Sequence, residues 1–303
     1  MTEAADTPAD EPAPDETPTD ETPAAEPPVG EPPVAQQDVE GTLIEAADAD
    51  ADEAEAAPAE NETVEMVKTV VYALLIALVL RILIFQPYTI PSSSMRPNLM
   101  IGDYVVVSKF SYGYSKNSIP FSPPLFKGRI FAATPKRGDV IVFKTPAAGH
   151  KDLIKRLVGL PGDTIQVTNG ALIVNGVTLP RVAAGLARGD NGACPNGATP
   201  MRYWETNPVG RRYITYSCGL GDLDNTPVYL VPEGHYFFMG DNRDNSLDSR
   251  VSAESGGVGY VPAENLVGKA ETVMVSWKEG SNILKPWTWL NLRWNRFFHS
   301  LRD

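Results

Sequence analysis

One run of residues limits this chain more than any other: Val67 to Phe85, VKTVVYALLIALVLRILIF, 19 residues with only Lys68 and Arg81 charged. As a helix rising about 1.5 Å per residue it reaches roughly 28 Å, close to the hydrocarbon thickness of a bilayer, and both cations can snorkel toward head groups. A buried core helix is the alternative, but this run is apolar on every face and follows a polar stretch. A cleaved leader fits less well, because such leaders begin with a short basic region and this one is preceded by a long acidic one. Residues 66–86 are therefore expected to form one transmembrane helix.

Before it, residues 1–62 hold 20 Asp and Glu and no Lys or Arg, in a chain of net charge −12, which leaves a body of about +8. The same stretch carries 10 of the 27 prolines and no aromatic side chain. It cannot bury enough apolar surface to offset the entropy of ordering it, so residues 1–65 read as a disordered acidic tail. Such a tail is a solvated spacer or an acidic docking arm.

The positive-inside rule has little to count here, since Lys68 precedes the span and Arg81 lies within it. Cys194 and Cys218 are the only cysteines, 24 positions apart, without His or Cys neighbours at metal-ligand spacing. A disulfide in an oxidising compartment is the better reading of the pair. It would constrain the loop by about 3 kcal/mol in chain-entropy terms, and it favours a body outside the cytoplasm.

After Phe85 the pattern changes to short β-rich runs: DYVVVSKF from Asp103, DVIVFK from Asp139, LIKRLVG from Leu153 and TIQVT from Thr164. Asn169-Gly170 and Asn175-Gly176 flank ALIV and are strong hairpin signals, because both turn residues accept positive φ. Further runs start at Tyr213, Pro227, His235 and Glu271. The expected fold is mainly β: an antiparallel body over 87–277, with a loop-rich insertion at 181–225. Residues 278–303 follow as a segment with Trp287, Trp289, Trp294, Phe297 and Phe298 among Lys and Arg. That mixture suits a bilayer interface as well as packing on the body.

Three stretches carry chemistry. Directly after the span, PSSSMRPNL places three serines between two prolines, bracketed by Ile90, Met95 and Leu99; such a turn can expose one hydroxyl. In IKRLVGLPGD, strand alternation puts Lys155 on one face with Leu153 and Leu157. A lysine there either snorkels or is desolvated toward neutrality, as a base requires. The third, GDNRDNSLDSR, is dense in Asp, Asn, Arg and Ser. It is either a solvated loop or a hydrogen-bonded bracket around a site.

Together these stretches, with GDYVVVSKF between the first two, resemble the type I signal peptidases (leader peptidases) over roughly residues 67–277, in that family's order. The resemblance implies a membrane-bound serine endopeptidase that removes N-terminal signal peptides from secretory preproteins by acyl transfer. It implies Ser94 as nucleophile and Lys155 as general base. Ser92 with the Ser94 N–H would form the oxyanion hole, and Ser246 would orient the lysine. Asp241, Asp248 and Arg250 would serve as scaffold charges. Shallow apolar pockets would involve Ile90, Pro91, Leu153 and Ile154, accepting Ala-x-Ala-like cleavage sites. No metal, cofactor or nucleic acid is implied. The N-terminus would be cytoplasmic and the body on the other side of the bilayer. Ser93 stands where many members have Gly, and Asn98 where many have Thr. A triad built on His150, His235 or His299 is the rival within enzymes, and a non-catalytic tethered β domain the rival outside them.

Overall fold

The computed structural model describes residues 61–301, apart from 120, 121, 124, 125, 148–150 and 282–284. The acidic tail up to residue 60, and His150, lie outside the described residues.

Helix α1 spans Glu62–Leu83. Glu62 and Glu65 in its first turn and Arg81 in its last complement the helix dipole. Its side chains are unburied along the apolar stretch, and it is long enough to cross a membrane. The expected span ran to residue 86, but the helix stops earlier because Gln86 precedes Pro87, which disfavours helical backbone there. Instead β1 (Phe85–Thr89) begins and pairs antiparallel with β2 (Asp103–Ser108).

Strands β3 (Val140–Lys144) and β4 (Asp152–Gly159) form the next antiparallel pair. The run β5 (Thr164–Thr168), β6 (Ala171–Val174) and β7 (Val177–Thr178) is a meander. Its two turns have positive φ at Asn169-Gly170 and Asn175-Gly176, the conformation those pairs favour. The 181–225 insertion, expected to be loop-rich, is organised on a three-stranded antiparallel sheet of β8 (Arg181–Leu186), β9 (Met201–Thr206) and β10 (Arg212–Ser217). Then follow β11 (Tyr229–Leu230), β12 (His235–Met239), β13 (Val261–Pro262), β14 (Leu266–Ser276) and β15 (His299–Ser300).

The main sheet has the order β1-β2-β14-β3-β4-β12-β13, with β15 added to β14. Register shifts along β14 against both neighbours bend it, so the sheet curls. On one side lies a core of Val105, Val107, Val140, Val142, Val267 and Val273, onto which Ile90, Met95 and Leu99 pack. Phe143 and Phe238 stack in a second core, their ring centroids 4.4 Å apart. The C-terminal segment packs back on the body: Arg293 donates to Ile101 O at 2.9 Å and Arg296 to Asn98 O at 2.9 Å, while Leu301 enters the first core. Trp287, Trp294 and Phe298 remain exposed.

Candidate active site

The serine segment after β1 is fixed from below by its apolar residues. Ile90, Met95 and Leu99 are almost fully buried, and between them the backbone turns back through Arg96 N–H to Ser93 O (3.1 Å) and Leu99 N–H to Met95 O (2.9 Å). Ser94 is held at the turn, itself buried.

Lys155 comes from the middle of β4, paired with Ile141 of β3. Only 3% of it is exposed. Its amine donates to Ser94 Oγ at 2.7 Å and to Ile154 O at 3.1 Å. Burial pushes the ammonium down to about 8, with Asp248 and Asp241 partly opposing the shift. At pH 7 such an amine is neutral in about a tenth of the molecules, against well under a thousandth for an ordinary lysine.

β12 pairs with β4 and delivers the polar loop to this point: Met239 lies opposite Arg156, and Gly240 follows. No side chain fits at Gly240, where a Cβ would come within 2.2 Å of Ser246 Oγ and 2.6 Å of Ser94 O. Asp241 takes Arg156 in a two-pronged pair, both contacts 2.7 Å, and also accepts from Asn98 at 2.7 Å. Asp248 takes Arg250 the same way at 2.8 and 2.9 Å and accepts the Gly240 N–H at 3.0 Å. Bidentate pairs of this kind fix a loop's shape as well as its charge. Burial would raise the Asp248 carboxyl, but the Arg250 guanidinium holds it below the usual carboxylate range.

Ser246, expected to orient the lysine, makes no direct hydrogen bond to it among the described residues: the amine donates to Ser94 and Ile154, while the Ser246 hydroxyl lies over Gly240 and faces Asp248.

The family model for signal peptidase, peptidase S26, matches residues 63–277. The chain belongs to the signal peptidase S26 family. Signal peptidase I of Rickettsia typhi is 40% identical over 262 residues, covering 80% of this chain and 95% of that one. That of Rickettsia canadensis is 39% identical over 259 residues, covering 79% and 94%. A solved signal peptidase I from Enterococcus faecalis V583 is 29% identical, covering 45% of this chain and 97% of that one, with a TM-score of 0.27. The chain is thus a serine endopeptidase that removes signal peptides from secretory preproteins, and its α1 is long and apolar enough to cross a membrane.

In this signal peptidase two cavities flank Lys155. The larger, about 370 Å³, is lined by Ser92, Ser94, Lys155, Leu153, Leu247 and Val258 among others. The smaller, about 70 Å³, lies between β1 and β4 against Tyr88, Ile90, Pro91, Leu153 and Ile154. Leu153 lines both, and the other three residues expected at the pockets line the smaller one. Ser92 Oγ is 3.3 Å from Ser94 Oγ. Among the described histidines, His235 contacts Glu233 O and His299 is exposed in β15; neither lines a cavity at Ser94.

Sequence reasoning missed the insertion's part in the site. Glu205 of β9 takes Arg243 of the polar loop in a fully buried pair at 2.6 and 2.7 Å. Tyr216 exchanges backbone hydrogen bonds with Asp241 and Arg243, and Asp244 accepts from Cys218 N–H. Cys194 and Cys218 are disulfide-bonded, Cα to Cα 5.7 Å. An isolated acid in an insertion gives no sequence signal for an arginine 38 positions away.

Proposed function

We propose that this peptidase works through a Ser94–Lys155 dyad, the reading carried by the 2.7 Å contact between the two side chains inside a buried site. Neutral Lys155 accepts the Ser94 proton as Oγ attacks the scissile carbonyl. The oxyanion of the tetrahedral intermediate faces the Ser94 N–H and the Ser92 hydroxyl. Lys155 then returns its proton to the leaving amine, leaving an acyl-enzyme. Water, deprotonated by the same amine, attacks the ester and frees Ser94.

The smaller cavity favours small side chains near the cut, since a larger residue must displace packed walls. Ala at positions −1 and −3 fits this reading. Lipid is the body's neighbour: α1 crosses the bilayer with the acidic tail on the cytoplasmic side and the β body on the other. The disulfide is in keeping with that orientation.

The test uses purified full-length protein in detergent and a preprotein with Ala at −1. Ser94→Ala and Lys155→Arg should yield no mature product, His→Ala at positions 150, 235 and 299 should leave cleavage intact, and Phe at −1 of the preprotein should abolish it. Turnover by Lys155→Arg at neutral pH would return the choice of base to the histidines, because a guanidinium does not deprotonate there.

A further inference from the structure

Two amides of the polar loop each join the residue before the nucleophile to one carbonyl of the inserted subdomain. Asn242 Nδ2 donates to Ala193 O at 2.7 Å and to Ser93 O at 3.2 Å. Asn245 Nδ2 donates to Ala193 O at 2.9 Å and to Ser93 Oγ at 2.9 Å. Ala193 is fully buried, and its neighbour Cys194 is bonded to Cys218. The Asn242 backbone N–H adds a bond to Ser94 O at 3.0 Å. Ser93 is thus held by its carbonyl and by its hydroxyl, both through groups anchored on the same disulfide-closed loop.

The geometry has a direct consequence for catalysis. Ser93 C=O and Ser94 N–H belong to one planar trans peptide and point in opposite directions. Fixing the carbonyl against Asn242 therefore fixes the direction of the N–H. Among the described residues, Asn242 Oδ1 is buried without a hydrogen-bond partner. The amide is oriented by its two donor contacts alone. Resting on the reading of Ser94 as nucleophile and oxyanion donor, we propose that Asn242, Asn245 and the disulfide-held Ala193 carbonyl are positioning groups that aim the Ser94 N–H at the oxyanion. The inserted sheet then acts as a platform for the catalytic serine, with the Glu205–Arg243 pair fastening it to the loop from the other side.

Four changes test this in the full-length protein in detergent: Asn242→Ala, Ser93→Ala, Cys194→Ser with Cys218→Ser, and the cysteine pair combined with Asn242→Ala. Steady-state cleavage is measured across pH, with melting temperature alongside. Asn242→Ala and the cysteine pair should each lower kcat about ten- to a hundredfold, less than the loss of an oxyanion donor itself. KM should stay within about twofold, and the pH at which the rate rises should not move, because Lys155 is untouched. Ser93→Ala, which removes one of two holds, should lose about threefold. The combined variant should be no worse than about threefold below the poorer of its parents, since both act on one peptide. Should a variant fail to fold, reduction of the folded wild-type disulfide by a phosphine replaces it and should lower kcat likewise.

A kcat within twofold of wild type for Asn242→Ala, a loss that appears in KM, a moved pH profile or fully multiplicative losses would each overturn the proposal. Ser94→Ala is run in parallel. If it is inactive while Asn242→Ala matches wild type, the platform idea fails alone; if Ser94→Ala cleaves, the dyad reading fails first.

Discussion

Two lysines are buried in the same β body, and only one faces a hydroxyl. Lys109, just after β2, is 1% exposed and donates to Ser118 O at 2.6 Å; burial pushes it down to about 8. Lys155, in the middle of β4, is 3% exposed and is pushed down to about 8 by the same cause. Burial is the leading cause at both, although the neighbouring charges differ: Arg81 and Lys144 add to the shift at Lys109, while Asp248 and Asp241 oppose it at Lys155. What separates them is the group at the amine: a carbonyl oxygen, which has no proton to give, against Ser94 Oγ at 2.7 Å. A lowered pKa reports burial, and geometry decides whether burial makes a base.

The sharpest way to break this comparison is to remove each amine in turn. Lys155→Met should lower kcat at least a thousandfold, and Lys109→Met should stay within about threefold of wild type, measured on the same preprotein in detergent. An equal loss at both positions would mean that Lys109 has chemistry the carbonyl contact does not explain.

Crowding the dyad comes next in size. Gly240→Ala places a Cβ where Ser246 Oγ would lie 2.2 Å away and Ser94 O 2.6 Å away. Ser94 must shift relative to Lys155, and a displacement of that size should lower kcat roughly a hundredfold. The comparable change at Gly210, which is open to solvent but has positive φ, should cost only some stability and little activity. Steady-state kinetics and thermal melting separate the two.

A smaller effect lies in stability. The unfolded lysine binds its proton up to about pH 10.4, while folded Lys155 releases it near 8. Between those values the unfolded chain holds more protons, so this group's contribution to stability rises with pH. Below about pH 8 the penalty is complete, on the order of 3 kcal/mol. Lys155→Met should therefore be more stable than wild type at pH 7, and urea unfolding should show that advantage shrinking toward pH 10.

The smallest expected effect is at the other end of the chain. Residues 1–60 contain none of the proposed site residues, so deleting them should change turnover of a short peptide by less than about twofold.

What could be read from the sequence follows the same division between local pattern and long-range contact. TIQVT with its Asn-Gly turns, HYFFM and VIVFK are strands whose alternation or apolar runs are plain in the text, and the structure has them within a residue or two. β1 was hidden, because FQPYT contains a proline and runs on from the membrane helix; it is tolerated as an edge strand paired on one side. β8 and β9 were hidden for another reason: RVAAGL and MRYWET lie in a small sheet with few buried positions, so no alternation shows. Ser94, Lys155, Asp241 and Asp248 sit in dense motifs and were legible. Glu205, Asn242 and Asn245 act through partners dozens of positions away, and their contacts with Arg243, Ala193 and Ser93 exist only once the insertion has folded against the loop.

The central claim is that the Lys155 amine, lowered by burial, is the base that activates Ser94. The most direct measurement is the pH dependence of kcat/KM for cleavage of a small peptide, in wild type and in Lys109→Met, beside a 13C NMR titration of labelled lysine Cε in both proteins. Two resonances should titrate near pH 8 in wild type: the one that vanishes in Lys155→Met should coincide with the rise in rate, and loss of the other in Lys109→Met should leave the rate profile unchanged. A rate that rises where no Lys155 resonance titrates, or a profile that moves with Lys109→Met, would contradict the account.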